Sequence, residues 1–421
     1  MQSSIKLRLT VMNFLQFAVW GAYLTSMGRY LGTAGFGSEI GNFYAMQGLV
    51  SLFMPALMGI VADRWIPAQR LLGVCHMLAG MLMLGVFLYT QTDAPSYPSL
   101  FALYSLSVAF YMPTLALSNS VAYTSLDQAG LDLVKSFPPI RVFGTVGFIC
   151  TMITVSLLGL EATSGQFAVS AIISLVLAVY AQTLPNCPTA PKGQSKSLVE
   201  ALGLRAFVLF KQRKMALFFI FSMLLGVSLQ ITNGFANPFI STFGEIPAYA
   251  DTFGVKYANI LISLSQLSET LCILLIPFAL RRFGIRRVML IAMVAWVLRF
   301  ALLGLGNPGS GVWLFLLSMI VYGVAFDFFN VSGSLFVDKE TDPSIRSSAQ
   351  GLFMIMTNGI GATLGSLGAQ AVINHFVYSE HDTTAILAGW SMSWYIFAAY
   401  AAVVAVLFAL LFRYNTATEA K

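Results

Sequence analysis

The chain has 421 residues, of which 57% are hydrophobic and only 10% are charged, whereas about a quarter of the residues in a soluble domain are charged. The formal net charge of +6 comes from basic residues that are spread over many short polar segments, so it does not indicate a nucleic-acid-binding surface. The composition excludes a soluble globular protein and predicts an integral membrane protein.

Apolar runs of about 20 residues, long enough to cross the hydrocarbon core of a bilayer, recur along the whole sequence. The first run follows Lys6 and Arg8. It is too long for a signal-peptide core and lacks a small-residue cleavage motif, so we expect it to be retained. The runs predict an all-α integral membrane protein with twelve transmembrane helices, at 8–31, 39–62, 71–91, 98–124, 138–160, 166–184, 215–242, 257–280, 287–306, 311–336, 346–376 and 387–412.

The loops between these spans predict the orientation in the membrane. When alternate span ends are assigned to opposite sides, nearly all loop Lys and Arg residues fall on one side, and only Arg29 and Lys256 fall on the other. Basic residues accumulate in cytoplasmic loops. Both termini are therefore expected in the cytoplasm.

A polar connection near the midpoint divides the spans into two sets of six. It is rich in Pro, Ser and Lys and includes Lys192 and Lys196. The two halves echo each other, since PPIR at 138–141 and PSIR at 343–346 each begin the fifth span of a half. Parallel six-span repeats are expected of a major facilitator transporter. The predicted domains are an N-terminal six-helix bundle at 1–184, a cytoplasmic linker at 185–213 and a C-terminal six-helix bundle at 214–421.

The loop between the second and third spans, GIVADRWIPAQR at 59–70, contains a recognisable motif. Its first half resembles the G-x-x-x-D-R loop of the major facilitator superfamily. The sequence departs from that pattern at Pro67 and Ala68. We expect Asp63 and Arg64 to act as a conformational gate, with the carboxylate capping a helix N-terminus or pairing with arginines while the cytoplasmic face is shut. The alternative is an ordinary basic turn.

Four ionisable residues fall within the predicted spans: Arg141, Glu269, Arg299 and Asp327. An ionisable group at bilayer depth is costly and normally faces a cavity or a partner. We expect Arg299, in the outer half of the ninth span, to be structural or to snorkel to the interface. Glu269 and Asp327 are the stronger functional candidates, because helix packing does not require a carboxylate.

Four spans each present one polar or aromatic face, because residues three or four positions apart share a side of a helix. Amides and carboxylates can bind vicinal hydroxyls, whereas aromatic rings can stack on a planar base. A nucleoside uses both kinds of contact; the alternative is that these groups only bond helix to helix. The faces consist of Arg141, Thr145 and Phe148 in span 5, Gln230 and Asn233 in span 7, Gln266 and Glu269 in span 8, and Tyr322, Phe326 and Asn330 in span 10, with Asp327 one position round.

Seven segments form a recognisable set: FLQF at 14–17, MPALMGIVAD at 54–63, FPPIRVFGTVGF at 137–148, FSMLLGVSLQITN at 221–233, SQLSET at 265–270, SMIVYGVAFDFFNVSGS at 318–334 and MTNGIG at 356–361. This set closely resembles the bacterial nucleoside permeases of the nucleoside/proton symporter family. The resemblance implies a twelve-helix major facilitator fold and proton-driven nucleoside import by alternating access across a bacterial inner membrane. It also implies a nucleoside site lined by Arg141, Thr145, Phe148, Gln230, Asn233, Gln266, Glu269, Tyr322, Phe326 and Asp327.

Within this interpretation, protonation of an acidic residue couples the proton gradient to transport. Asp327 is the first candidate for that residue and Glu269 the second, and the other carboxylate would mainly hold ribose hydroxyls. The expected partners are nucleosides, protons and the lipid bilayer, with no nucleic acid, and we expect a monomer.

Other functions remain as alternatives. A proton-driven carrier of the same fold could import a sugar or a nucleobase, or could export its solute, although the fifth span lacks the G-P-x-x-G-G run typical of antiporters. We expect no enzyme, because the sequence shows neither a Ser/His/Asp grouping nor an HExxH motif. The four cysteines form no CxxC pair, so neither a disulfide framework nor a metal site is expected. We also expect no cofactor.

Overall fold

The computed structural model describes residues 2–189, 200, 204–343 and 345–414. This part of the chain forms helices and contains no β-strand. Much of the predicted linker, including Lys192 and Lys196, lies outside the described residues, as do Ser344 of the PSIR repeat and Lys421 at the C-terminus.

The described residues of the first half of the chain form eight α-helices. The first span is interrupted by turns between α1 and α2, and the second span by a short break between α3 and α4. The helices are α1 (Gln2–Gly21), α2 (Met27–Thr33), α3 (Ile40–Ser51), α4 (Met54–Arg64), α5 (Ala68–Tyr89), α6 (Tyr97–Gln128), α7 (Leu133–Leu157) and α8 (Gly165–Ala181).

The described part of the second half contains nine α-helices and two π-helical segments, Ile355–Gly361 and Asn374–Tyr378. The helices are α9 (Arg213–Leu229), α10 (Ile231–Thr242), α11 (Pro247–Ala250), α12 (Phe253–Lys256), α13 (Ala258–Leu305), α14 (Val312–Glu340), α15 (Arg346–Met354), α16 (Ala362–Ile373) and α17 (Thr383–Leu411). A short 3₁₀ helix, Leu204–Lys211, precedes α9.

The helix α13 is 48 residues long, too long for one crossing, and is broken at Gly284. This residue has φ 74° and ψ 163°, a backbone conformation that glycine adopts readily because it has no Cβ. The break separates the predicted spans 257–280 and 287–306, with the basic segment RRFGIRR between them.

In the described residues, nine helices are long and apolar enough to cross a membrane. Counting the two parts of α13 separately, and adding the first span and the shorter apolar helix α8, gives the twelve predicted crossings. The prediction of an all-α, multi-pass membrane protein is confirmed.

The chain forms two compact units. The first unit comprises the described residues within Met1–Phe36 and Leu49–Leu202, and the second those within Gly37–Gly48 and Gly203–Lys421. An aliphatic core of the first unit includes Leu72, Val121 and Leu177, all fully buried. These residues come from α5, α6 and α8, so the core holds these three helices together.

The second unit has an aromatic core. The ring of Phe218 packs against those of Phe329, Phe336 and Phe353, with centroid distances of 6.4, 4.7 and 5.4 Å. Two of these rings lie on α14, so the core fixes the rotation of that helix about its axis. The same rotation determines where Tyr322, Phe326 and Asp327 point.

Candidate functional site

The two carboxylates predicted for the site lie on helices in close contact. A Cβ at Gly323 of α14 would come within 2.5 Å of the Ser268 carbonyl oxygen on α13. The Ser268 hydroxyl also donates to the Ile320 carbonyl oxygen. This approach places Glu269 near enough to Asp327 for the two side chains to interact electrostatically.

Asp327 lies inside the second unit, where only 5% of its surface is exposed. The buried rings of Phe328 and Phe329 follow it in the sequence. Among the described residues, Asp327 Oδ2 has no hydrogen-bond partner. A carboxylate in these surroundings is poorly solvated, which makes it a candidate for binding a proton or a hydroxyl-bearing solute.

The aromatic residues of the tenth span also lie together. The Tyr322 and Phe326 rings stack with centroids 5.6 Å apart and planes 16° apart. Tyr322 lies close enough to Gln266, Glu269 and Asp327 to interact electrostatically with all three. The side chains of Gln266, Glu269 and Phe326 are half-buried. These three side chains therefore keep part of their surface free to contact a solute. Asn330, one turn further along α14, is also half-buried.

The amides predicted in the seventh span contact each other at a break in the helix. Helix α9 ends at Leu229 and α10 begins at Ile231, so Gln230 lies between them. The Asn233 Nδ2 atom donates to Gln230 Oε1 at 2.9 Å. Both side chains are half-buried and keep further donor and acceptor capacity for a solute.

Arg299 was expected to be structural or to snorkel, and the snorkelling alternative is wrong. The residue is 2% exposed, and its guanidinium carbon lies 4.4 Å from the centroid of the Tyr322 ring. Its Nη1 donates to the Ser318 carbonyl oxygen at 2.9 Å and to Ser265 Oγ at 3.3 Å, while Nη2 donates to Thr232 Oγ1 at 3.2 Å. Sequence reasoning gave Arg299 no place in the site.

Three candidate residues belong to α7 in the first unit. The Arg141 guanidinium carbon lies 4.0 Å from the centroid of the Phe17 ring. The Phe148 ring meets the Trp20 ring edge-on, with centroids 6.4 Å apart. Thr145, between them in sequence, is half-buried. The first unit thus presents a cation, a hydroxyl and aromatic rings along α7 and α1.

The first unit also contains a buried polar network that the sequence patterns did not predict. His76 is fully buried, with Nε2 2.8 Å from Gln16 Oε1 and Nδ1 3.0 Å from Ser174 Oγ. The Gln16 Nε2 atom donates to Thr114 Oγ1 at 2.7 Å. The glutamine within the apolar first span was the available signal.

The predicted gate residues lie in the last turn of α4. Asp63 is half-buried and Arg64 is exposed. Among the described residues, the Asp63 carboxylate forms neither an ion pair nor a hydrogen bond. A gating role for this pair therefore stays a prediction.

The motifs and this geometry agree with a comparison against known protein families. A family model described as "Nucleoside H+ symporter" matches residues 3–417. The chain belongs to the nucleoside H+ symporter family. The family resemblance inferred from the sequence is confirmed.

Relatives of this nucleoside H+ symporter are permeases. The xanthosine permease of Escherichia coli strain K12 is 49% identical over 98% of this chain and 97% of that protein. The nucleoside permease NupG of the same strain is 46% identical over 98% of this chain and 97% of that protein. A crystal structure of nucleoside transporter NupG matches with a TM-score of 0.89 and 46% identity, covering 98% of this chain and 100% of that chain.

A more distant likeness defines the fold. The xylose transporter XylE from E. coli, in a partially occluded inward open conformation, matches with a TM-score of 0.61 at 13% identity, covering 98% of this chain and 100% of that chain. The protein therefore has the predicted major facilitator fold. Its membership of the nucleoside H+ symporter family shows that it is a transporter rather than an enzyme.

Proposed function

We propose that this nucleoside H+ symporter imports nucleosides together with protons by alternating access, exposing its solute to one side of the membrane at a time. Family membership over residues 3–417 supports this function, as does the similarity to a xanthosine permease and to NupG. The observation that carries it is Asp327, a buried carboxylate whose Oδ2 lacks a hydrogen-bond partner among the described residues.

The candidate residues divide by chemistry into two groups. Tyr322 and Phe326 form the aromatic part, which contacts the planar base. Amides and carboxylates supply acceptors and donors for ribose hydroxyls. The proposed substrate-binding set is Arg141, Thr145, Phe148, Gln230, Asn233, Gln266, Glu269, Tyr322, Phe326 and Asp327.

For proton coupling we assign Asp327 as the first candidate and Glu269 as the second. Asp327 is the more deeply buried of the two, so a change in its charge has the larger effect on the free energy of its surroundings. In this assignment, protonation of Asp327 permits the nucleoside-bound protein to change the side of the membrane to which its site is open. Glu269 mainly binds the ribose hydroxyls. Asp63 and Arg64 act as the cytoplasmic gate.

We further propose that the protein is a monomer of the bacterial inner membrane with both termini in the cytoplasm. The loop distribution of Lys and Arg supports this orientation. The proposed organisation is a six-helix bundle at 1–184, a cytoplasmic linker at 185–213 and a six-helix bundle at 214–421.

Uptake in a bacterial host that lacks its own nucleoside permeases tests this function. Cells expressing the protein should accumulate a radiolabelled purine nucleoside and a radiolabelled pyrimidine nucleoside, and an uncoupler should abolish accumulation above the external concentration. Cells with the empty vector provide the background. Uptake of free ribose or free nucleobase in place of nucleosides, or accumulation that an uncoupler leaves unchanged, would contradict the proposal. Faster efflux of preloaded nucleoside would indicate an exporter.

A further inference from the structure

The contacts of Arg299 follow a pattern that an ordinary structural role does not require. Each of its polar partners lies within one helical turn of a candidate residue of the nucleoside site. Thr232 lies between Gln230 and Asn233, Ser265 directly precedes Gln266, and Ser318 lies one turn before Tyr322.

These partners come from three helices, α10, α13 and α14. The same helices carry the candidate residues of the second unit, with Gln230 directly preceding α10. Arg299 also packs on Tyr322, which stacks on Phe326 and interacts electrostatically with Gln266 and Glu269. A displacement of the guanidinium therefore acts on the amide, carboxylate and aromatic faces together.

We propose that Arg299 is a positioning residue for nucleoside binding. It fixes the candidate residues on α10, α13 and α14 relative to one another by bonding Thr232 and Ser265 and by packing its cation on the Tyr322 ring. The inference rests on the proposed function. It adds to that function a residue that makes its contribution through its neighbours.

The chemistry of the guanidinium fits this role. Arginine is planar, offers five donors in a fixed fork and packs well on aromatic rings, whereas lysine is a point charge on a flexible stem. Arg299 forms no ion pair with a carboxylate among the described residues. Hydroxyls, a carbonyl oxygen and the Tyr322 ring stabilise its charge instead. The variant Arg299→Lys keeps the charge but loses the planar set of guanidinium donors.

Nucleoside binding to purified protein, measured by calorimetry below the unfolding temperature, tests the inference. Arg299→Lys should weaken affinity about tenfold or more, because it loses both the fork and the packing on the ring. The matched control is Arg286→Lys, since Arg286 is a structural arginine that donates to the carbonyl oxygens of Ala409 and Phe412. The control should lower the melting temperature and leave affinity unchanged. Wild-type affinity in Arg299→Lys would overturn the inference.

A double-mutant cycle separates positioning from a general loss of structure. If Arg299 acts through Tyr322, then Arg299→Lys should cost much less affinity in a Tyr322→Leu background than in the wild type. Equal costs in the two backgrounds would overturn this route. Failure of the wild-type protein itself to bind nucleoside would refute the proposed function instead, so the two failures are distinguishable.

Two less disruptive variants test the inference if Arg299→Lys does not fold. Thr232→Val and Ser265→Ala each remove one partner of the guanidinium and should each weaken nucleoside binding several-fold. Ser222→Ala is the matched control. Ser222 is also fully buried, but among the described residues its hydroxyl bonds only within its own helix, to the Phe218 carbonyl oxygen. Unchanged affinity in both Thr232→Val and Ser265→Ala would overturn the inference.

Discussion

The ring of Tyr322 lies nearly parallel to the ring of Phe326, with 5.6 Å between their centroids and 16° between their planes. The two residues are one helical turn apart on α14. Tyr322 is buried, whereas Phe326 is half-buried. The buried tyrosine thus supports the orientation of a more accessible ring, which a planar base can contact.

Replacing Phe326 with alanine should reduce binding of purine and pyrimidine nucleosides to a similar extent, because stacking tolerates any base. A stacked base contributes about 1–3 kcal/mol, so affinity should fall roughly 5-fold to 150-fold. Competition binding with both classes of nucleoside measures the effect. Phe278→Ala is the control, since Phe278 is 63% exposed and should leave affinity unchanged. A loss confined to one class would argue against simple stacking.

Removal of either amide from the Gln230–Asn233 pair should weaken nucleoside binding. Each alanine variant loses a contact to the solute and also deprives the other amide of its 2.9 Å hydrogen bond. An unsatisfied buried polar group costs about 1–3 kcal/mol. Because the losses overlap, the double variant should lose less affinity than the sum of the single variants. If either single variant bound nucleoside like the wild type, that residue would serve helix packing only.

Replacing Gly323 with alanine should destabilise the protein, because the new methyl group would press on the Ser268 carbonyl oxygen. Overpacking of this kind costs about 1–3 kcal/mol and should lower the melting temperature. Nucleoside affinity should fall as well, since α13 carries Gln266 and Glu269. Gly368→Ala is the control because a Cβ there meets nothing within 4 Å, and alanine favours a helix over glycine. Wild-type stability in Gly323→Ala would contradict the described packing of α13 on α14.

The spans could be predicted from sequence because the bilayer imposes a simple requirement. Each crossing needs an apolar run of sufficient length, and its backbone groups must be satisfied within the helix. The pairing of residues three or four apart also follows from helix geometry, and Tyr322 and Phe326 do stack. Local rules of this kind do not depend on knowing how helices pack.

The contacts of Arg299 could not be predicted in the same way. A helix that is apolar on nearly every side gives little indication of which face meets lipid and which meets protein. The sequence therefore left the rotation of the ninth span undetermined. The π-helical segment Ile355–Gly361 was missed for a related reason, because the MTNGIG sequence does not show which backbone hydrogen bonds shift. Such segments are frequent at functional sites.

The proposed orientation can be tested with reporter fusions. A cytoplasmic reporter should be active when fused after residue 421 or inserted within 190–200, and a periplasmic reporter should be active after residue 94. This pattern follows from the basic loops, because translocating Lys and Arg residues is unfavourable. The reverse pattern would overturn the assignment of both termini to the cytoplasm.

The central claim is that Asp327 couples the proton gradient to nucleoside import. Asp327→Asn mimics a permanently protonated carboxyl group and preserves most of its shape and hydrogen bonding. Binding measured by calorimetry should therefore be largely retained, which would also show that the variant is folded. Glu269→Gln is the matched comparison, and it should lower affinity more than it lowers coupling.

Nucleoside accumulation in proteoliposomes under an imposed pH gradient tests this claim most directly. The wild type should concentrate a radiolabelled nucleoside above the external level, and an uncoupler should collapse the accumulation. Asp327→Asn should show no uphill accumulation, and its residual flux should not respond to the uncoupler. Full gradient-driven accumulation by Asp327→Asn would contradict the account and would transfer the coupling role to Glu269.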